Sequence, residues 1–260
     1  MGLPLDAETP EEPVGDDAEP VAQPVAGWDT SNPHVTGEYL RRNPGWHVHT
    51  SAWKAGEILQ MLDRHHLAPR VIGEVGCGAG EVLRQLQTTM DPECRFIGWD
   101  IAPDAIRLAS TRANDRLQFE LADVTAIETP PLDLMLILEV VDHVEDYFGF
   151  LRALQSRSTH KIFHFSLDLS VQNALRGGAL LRQREKYVHL HYFNKETALK
   201  TLEETGYEVV DWFYTPYGVL FPGGRFNSLV VGPLRRLMFW FNQDLAVRVL
   251  GGYRLMVLAR

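Results

Sequence analysis

A chain of 260 residues with 45% hydrophobic and 23% charged side chains has ordinary globular composition, which excludes collagen-like, coiled-coil and wholly disordered architectures. Its formal charge of -9 lacks the electrostatic footprint of a nucleic-acid binder and argues against a polymeric nucleic-acid partner, because phosphate backbones demand concentrated cations. Only two cysteines occur, Cys77 and Cys94, the first inside a glycine-rich run, and the N-terminus carries no basic segment followed by an apolar one. With no transmembrane segment either, the expected location is cytoplasmic.

Residues 1–30 are rich in Pro, Glu, Asp and Ala and hold eight acids with no Lys or Arg, so they read as a disordered tail and leave a nearly neutral body over 31–260. Ser51 to Asp63 follows the helical period, with Ile58, Leu59 and Leu62 on one face. Strand-like runs then appear at Arg70–Val75, Arg95–Asp100, Leu117–Leu121, Leu134–Leu138 and Lys161–Ser166. Helical segments lie between them at Gly80–Thr88, Pro103–Asn114 and Val144–Ser156. This alternation predicts an α/β fold with a parallel sheet covered on both faces. A helix over Lys195–Thr205 and strands at Glu208–Thr215 and Arg254–Ala259 complete the chain, with insertions at about 168–192 and 216–252. Connections that long carry structure or function of their own.

The sharpest local signal is Glu74-Val75-Gly76-Cys77-Gly78-Ala79-Gly80, between a strand and a helix. Glycines at alternate positions let the backbone turn tightly and let a nucleotide cofactor approach the main chain. The dinucleotide fingerprint needs a third glycine where Glu81 stands, and Glu74 would oppose a pyrophosphate while accepting hydrogen bonds from an amine. Together with Gly98-Trp99-Asp100-Ile101, Leu121-Ala122-Asp123-Val124 and Leu138-Glu139-Val140-Val141-Asp142-His143-Val144, the loop resembles the class I S-adenosylmethionine-dependent methyltransferases, from about Trp53 to Arg260. The resemblance implies a Rossmann-like, seven-stranded, mostly parallel sheet with an antiparallel last strand, Arg254–Ala259, beside the fifth. It implies that S-adenosyl-L-methionine is the cofactor. Gly76, Cys77, Gly78 and Gly80 would wrap its methionyl part, oriented by Glu74. Asp100 would take the ribose hydroxyls, Ile101 the adenine face, Asp123 the exocyclic amine, Val124 would offer backbone, and Glu139 would complete the cofactor set. Each carboxylate also has a purely structural role open to it as a helix cap or turn residue.

Glu139 to His143 follows the fourth strand and opens toward the transferred methyl group. His143 is the base candidate by chemistry, with Asp142 beside it, because imidazole titrates near neutrality. A divalent ion held by Glu139, Asp142 and His143 is the lesser alternative. In Tyr187-Val-His-Leu-His-Tyr192 the alternation puts His189 and His191 on one side of an extended segment, where His191 is a second base candidate. His49 and Trp53 are candidates to lid the cofactor. Arg225–Val249 reads as a helix with a broad apolar face, open to packing on the sheet, covering a substrate, a homodimer contact or a membrane surface. The chain is thus expected to methylate a small, moderately hydrophobic molecule, most simply at oxygen, the acceptor being natural-product, lipid-like or quinone-like. The alternative is a non-catalytic cofactor-binding protein of the same fold.

Overall fold

The computed structural model describes residues 31–222 and 227–260. The acidic segment 1–30, expected to be a disordered tail, lies outside them. Seven strands, β1 (Val71–Val75), β2 (Arg95–Asp100), β3 (Leu117–Leu121), β4 (Leu132–Leu138), β5 (Ser158–Ser166), β6 (Val209–Thr215) and β7 (Arg254–Ala259), form one sheet in the order β3-β2-β1-β4-β5-β7-β6. The first five pair in parallel, and β7 lies antiparallel between β5 and β6, opposing Lys161 with Ala259 and Ser166 with Arg254. The terminal strand therefore takes the predicted place. It can do so because it returns from β6 without a crossover helix, the connection that parallel neighbours require.

Eleven α-helices are described: α1 (Glu38–Arg42), α2 (Ser51–Arg64), α3 (Glu81–Thr89), α4 (Pro103–Ser110), α5 (Tyr147–Leu154), α6 (Val171–Leu175), α7 (Ala179–Tyr187), α8 (Lys195–Glu204), α9 (Tyr217–Leu220), α10 (Gly232–Phe241) and α11 (Gln243–Leu250). Alternate residues of the central strands feed two cores. Leu134, Leu136, Leu138, Met256 and Leu258 pack with Ile58, Met61, Leu83 and Leu86 of α2 and α3. Met135, Ile137, Leu255 and Val257 pack with Leu151, Leu202 and Val247 of α5, α8 and α11. This is why β4 reads as a continuous apolar run: both of its faces are buried.

Three sequence expectations change. The helix expected over Pro103–Asn114 stops at Ser110, and the one expected from Val144 begins at Tyr147, where Asp146 caps it through the Gly149 N–H; Val141–His143 is a separate 3-10 turn. The single helix expected over Arg225–Val249 is split at Asn242, whose side chain caps α11 through the Leu245 N–H. Both insertions hold helices of their own, α6 and α7 in the first and α9 to α11 in the second.

Candidate active site

The strand order reverses between β1 and β4, and a cavity of about 940 Å³ opens outside their carboxyl ends. This is where open α/β sheets take ligands, and the size lies at the upper end for small-molecule sites. The sheet aims the loop after β1 and the loop after β4 into it.

The glycine loop is tied to β2 by the N–H groups of Gly76 and Cys77, which both donate to the Trp99 carbonyl (2.8 and 3.0 Å). All three glycines have positive φ, which L side chains rarely adopt. Close approach matters as well, since a side chain at 76 would meet Val140, one at 78 would meet the indole of Trp46, and one at 80 would run into Phe119. Gly76, Cys77 and Gly78 line the cavity. Gly80 does not line it; Gly80 lets α3 start against Phe119 and Ala109. Cys77 and Cys94 are both free and buried, and burial pushes the Cys77 thiol well up, so it is inert wall.

Glu74, on β1 at 2% exposure, has a buried carboxylate oxygen with no hydrogen-bond partner. Burial pushes its pKa up to about 8 although Lys54 pulls the other way. An orphaned buried acceptor in a cavity wall suits an incoming ammonium group, the group a methionyl moiety carries. Asp100 ends β2 and accepts from the Gly78 N–H and the Ala102 N–H, both at 2.8 Å, so the cap-like role and the ligand role coexist on it. Burial raises it to about 6, against three backbone hydrogen bonds. Asp123 spends one oxygen on the backbone and hydroxyl of Thr125 (2.8 and 2.7 Å) and keeps the other for the cavity. Ile101 and Val124 line the cavity beside these acids. Glu81, the residue in place of the dinucleotide glycine, is occupied by Arg84 and Arg112. Burial would raise it, but their hydrogen bonds outweigh that and hold it at about 2.

The post-β4 residues part company. Glu139 adopts a left-handed φ of 59°, and its carboxylate meets Arg254, Lys54 (3.1 Å) and His164 (3.1 Å). Burial opposes ionisation, yet Arg254 and Lys54 hold the group well below the carboxylate range. Glu139 lines the cavity as an already neutralised ion and offers a cofactor little. Asp142 is buried at 1% exposure and does not line the cavity; burial raises it to about 7, with His189 partly opposing. His143 does line the cavity, and its Nδ1 donates to the Val188 carbonyl at 3.1 Å. Burial, then the neighbouring His189 and His34, push its pKa well down. With Glu139 on cations, His143 on a carbonyl and Asp142 beneath the wall, the three do not converge on one point, and the described residues hold no cluster of three or more His, Cys, Asp or Glu arranged for a metal ion.

The two histidines expected to share a side separate. His191 turns its Nε2 to the Val144 and Glu145 carbonyls (3.0 and 3.2 Å), packs on Tyr147 and stays out of the cavity. His189 lines it, 8% exposed, with Nδ1 2.7 Å from an oxygen of Asp168 and its ring 5.0 Å from that of His143. Burial alone would lower it; the Asp168 hydrogen bond and the charge of Asp142 outweigh burial and raise it. Asp168, which also lines the cavity, lies two residues past β5. The rule that singled out Asp100 and Asp123, an acid at or just past a strand's carboxyl end, would have found it had the insertion not been taken to start there.

The expected lid shifts by a few residues. Trp46 and His47 line the cavity, whereas His49 and Trp53 do not and pack edge-on against Phe221, which does. Gly45, Trp46 and His47 all have left-handed φ (72°, 50° and 57°), and Trp46 is held against Tyr39 (5.0 Å between ring centres).

Residues 74–160 match a family model described as a methyltransferase domain. Solved structures similar to the chain include a magnesium protoporphyrin IX methyltransferase from Synechocystis with bound S-adenosylhomocysteine. It is 14% identical, with 88% of this chain and 95% of that one covered and a TM-score of 0.57. The N-methyltransferase NodS from Bradyrhizobium japonicum, also with S-adenosylhomocysteine, is 18% identical over 80% of this chain and 85% of its own, at a TM-score of 0.51. A plantazolicin methyltransferase in complex with the same compound is 14% identical over 89% and 91%, at 0.55. No curated protein gives a significant sequence match. The structural likenesses speak for the fold, and the family model adds the stretch from Glu74 into β5 that builds the cavity floor. Residues 74–160 thus form a methyltransferase domain, within a chain that has the fold of methyltransferases solved with bound S-adenosylhomocysteine.

Proposed function

We propose that this enzyme methylates a small, moderately hydrophobic acceptor at oxygen, with His189 as the general base and Asp168 as its partner. The observation that carries the reading is the buried His189–Asp168 pair in the wall of the cavity whose floor is Glu74 and the glycine loop. S-adenosylmethionine, when bound, supplies an electrophilic methyl carbon on a sulfonium, so the chain's own work is to bind, align and accept a proton. Glu74 would take the methionyl ammonium, Asp100 the ribose hydroxyls, and Asp123, Ile101 and Val124 the adenine end. Lys54, close enough to Glu74 to lower its pKa, would face the methionyl carboxylate. The His189 Nδ1–H donates to Asp168, which leaves Nε2 to take the acceptor's hydroxyl proton; Asp168 then stabilises the imidazolium. His143 stays neutral and serves as a positioning ring. The named acceptors of two similar structures, magnesium protoporphyrin IX and plantazolicin, support a small-molecule acceptor. The two free buried cysteines support a reducing, cytoplasmic setting.

The test is replacement of His189 by Gln in the full chain. Turnover should fall by roughly 10²- to 10⁴-fold with S-adenosylhomocysteine affinity unchanged. In the wild type, turnover should rise with pH through a raised imidazole pKa to a plateau. Normal turnover by His189→Gln would sink the base assignment and point to an acceptor that needs no base.

A further inference from the structure

The two insertions do more than roof the cavity. Of the large hydrophobic residues exposed among the described residues, all but Val210 lie within 168–192 and 216–252. On α10, Leu234, Leu237 and Phe241 follow the helical period on an outward face, with Trp240 beside them; Trp240 is 78% and Phe241 72% exposed. Leu175 (82%) on α6 and Leu181 on α7 are exposed too, and α6 packs against α11 and α7, α11 against α10, so the two insertions form one body. Such a surface, aromatic-tipped and larger than scattered single residues, calls for a partner.

Charge says which partner. The two insertions carry eight Lys and Arg against three Asp and Glu, on a chain whose total is -9. Arg176, Arg182, Arg184, Lys186 and Arg236 are exposed and make no ion pair among the described residues. Of the three acids, Asp168 is held by His189 and Asp244 by Lys195. A net positive face repels its own copy and an acidic chain's other surfaces cannot all meet it, whereas it complements anionic headgroups, with Trp and Phe at interfacial depth. We propose that α6, α7, α10 and α11 together form a docking face for an anionic lipid surface. Phe221, Arg235, Asn173 and Gln183 of the same insertions line the cavity, so the elements that dock also bound the site. Delivery of a lipid-dissolved acceptor through that mouth rests on the acceptor reading above; lipid binding does not.

The experiment is sedimentation of the full chain with large unilamellar vesicles of phosphatidylcholine alone or with a third phosphatidylglycerol. The anionic vesicles should retain the protein, and salt should release it as the Debye length shortens. The double variant Trp240→Ala, Phe241→Ala should bind at least about tenfold more weakly. Arg176→Glu with Arg182→Glu should lose the anionic preference by about fivefold per cation or more. All variants should keep wild-type S-adenosylhomocysteine affinity, which shows that they fold and separates this result from any failure of the acceptor assignment. Equal partitioning onto neutral and anionic vesicles, or none at low salt, would overturn the proposal. So would a wild-type dimer in sedimentation velocity that Trp240→Ala, Phe241→Ala converts to monomer, since the face would then be a subunit interface.

Discussion

Glu74 stands on the cavity floor with one carboxylate oxygen unpartnered, and it is one of three buried groups whose proton affinity burial or a neighbour raises. Its raised pKa of about 8, that of Asp142 at about 7 and the raised pKa of His189 all mean that the folded state binds these protons more tightly than the unfolded chain does. Groups of this kind contribute stability that is present below the unfolded pKa and is lost as pH rises through the folded one. The lowered imidazoles His34, His47 and His164, near 4, work in the opposite sense, but only below about pH 6.5 where an unfolded histidine takes a proton. Glu81, held at about 2, titrates far below that window. Between pH 6.5 and 8.5 the slope therefore has one sign. The melting temperature of the cofactor-free protein should fall across that range by on the order of a few degrees, and Glu74→Gln should flatten the fall. A melting temperature that rises with pH there would contradict the burial of Glu74.

Among the elements, the segment from α1 to the start of α2 holds a consecutive run of left-handed residues. Three consecutive left-handed residues at Gly45, Trp46 and His47 cost about 1–2 kcal/mol for each of the two that are not glycine, and the ring contacts with Tyr39 and Tyr187 hold them. The strain sets the Trp46 indole over Gly78. Trp46→Ala should weaken S-adenosylhomocysteine binding by about tenfold, chiefly through faster release in stopped-flow displacement, with the fold intact by circular dichroism. Unchanged release would mean that Trp46 merely packs. The sequence showed the helix after this segment plainly, because Ile58, Leu59 and Leu62 fall on one face at the helical period. It did not show that Trp46 and His47, and not His49 and Trp53, line the cavity, since left-handed Trp and His are set by tertiary ring contacts that carry no local signal. The break in the last long helix was similarly hidden, although Asn242, a strong cap residue, was there to be read.

Across the whole molecule, strand alternation and the glycine loop made the sheet and its cofactor edge legible, because both depend on local period and on positions at strand ends. The acceptor side was not legible. His189 and Asp168 come together across 21 residues through an insertion with no repeating pattern, and Arg254 and Lys54 reach Glu139 from opposite ends of the chain. His191 was the base candidate of this segment in the sequence, but the N–H groups of Leu190 and His191 both donate to the Asp142 carbonyl, and it is His189 that lines the cavity. In the proposed function the buried carboxyl of Glu74 receives the cofactor's ammonium group. This is tested by titration of the full chain with S-adenosylhomocysteine by calorimetry at pH 7, in two buffers of different ionisation enthalpy. Burial raises the Glu74 pKa in the cofactor-free protein and a bound ammonium would lower it, so the wild type should release up to about one proton per cofactor bound and Glu74→Gln should release markedly less. Cofactor binding with no buffer dependence in the wild type, or with equal proton release in Glu74→Gln, would contradict it.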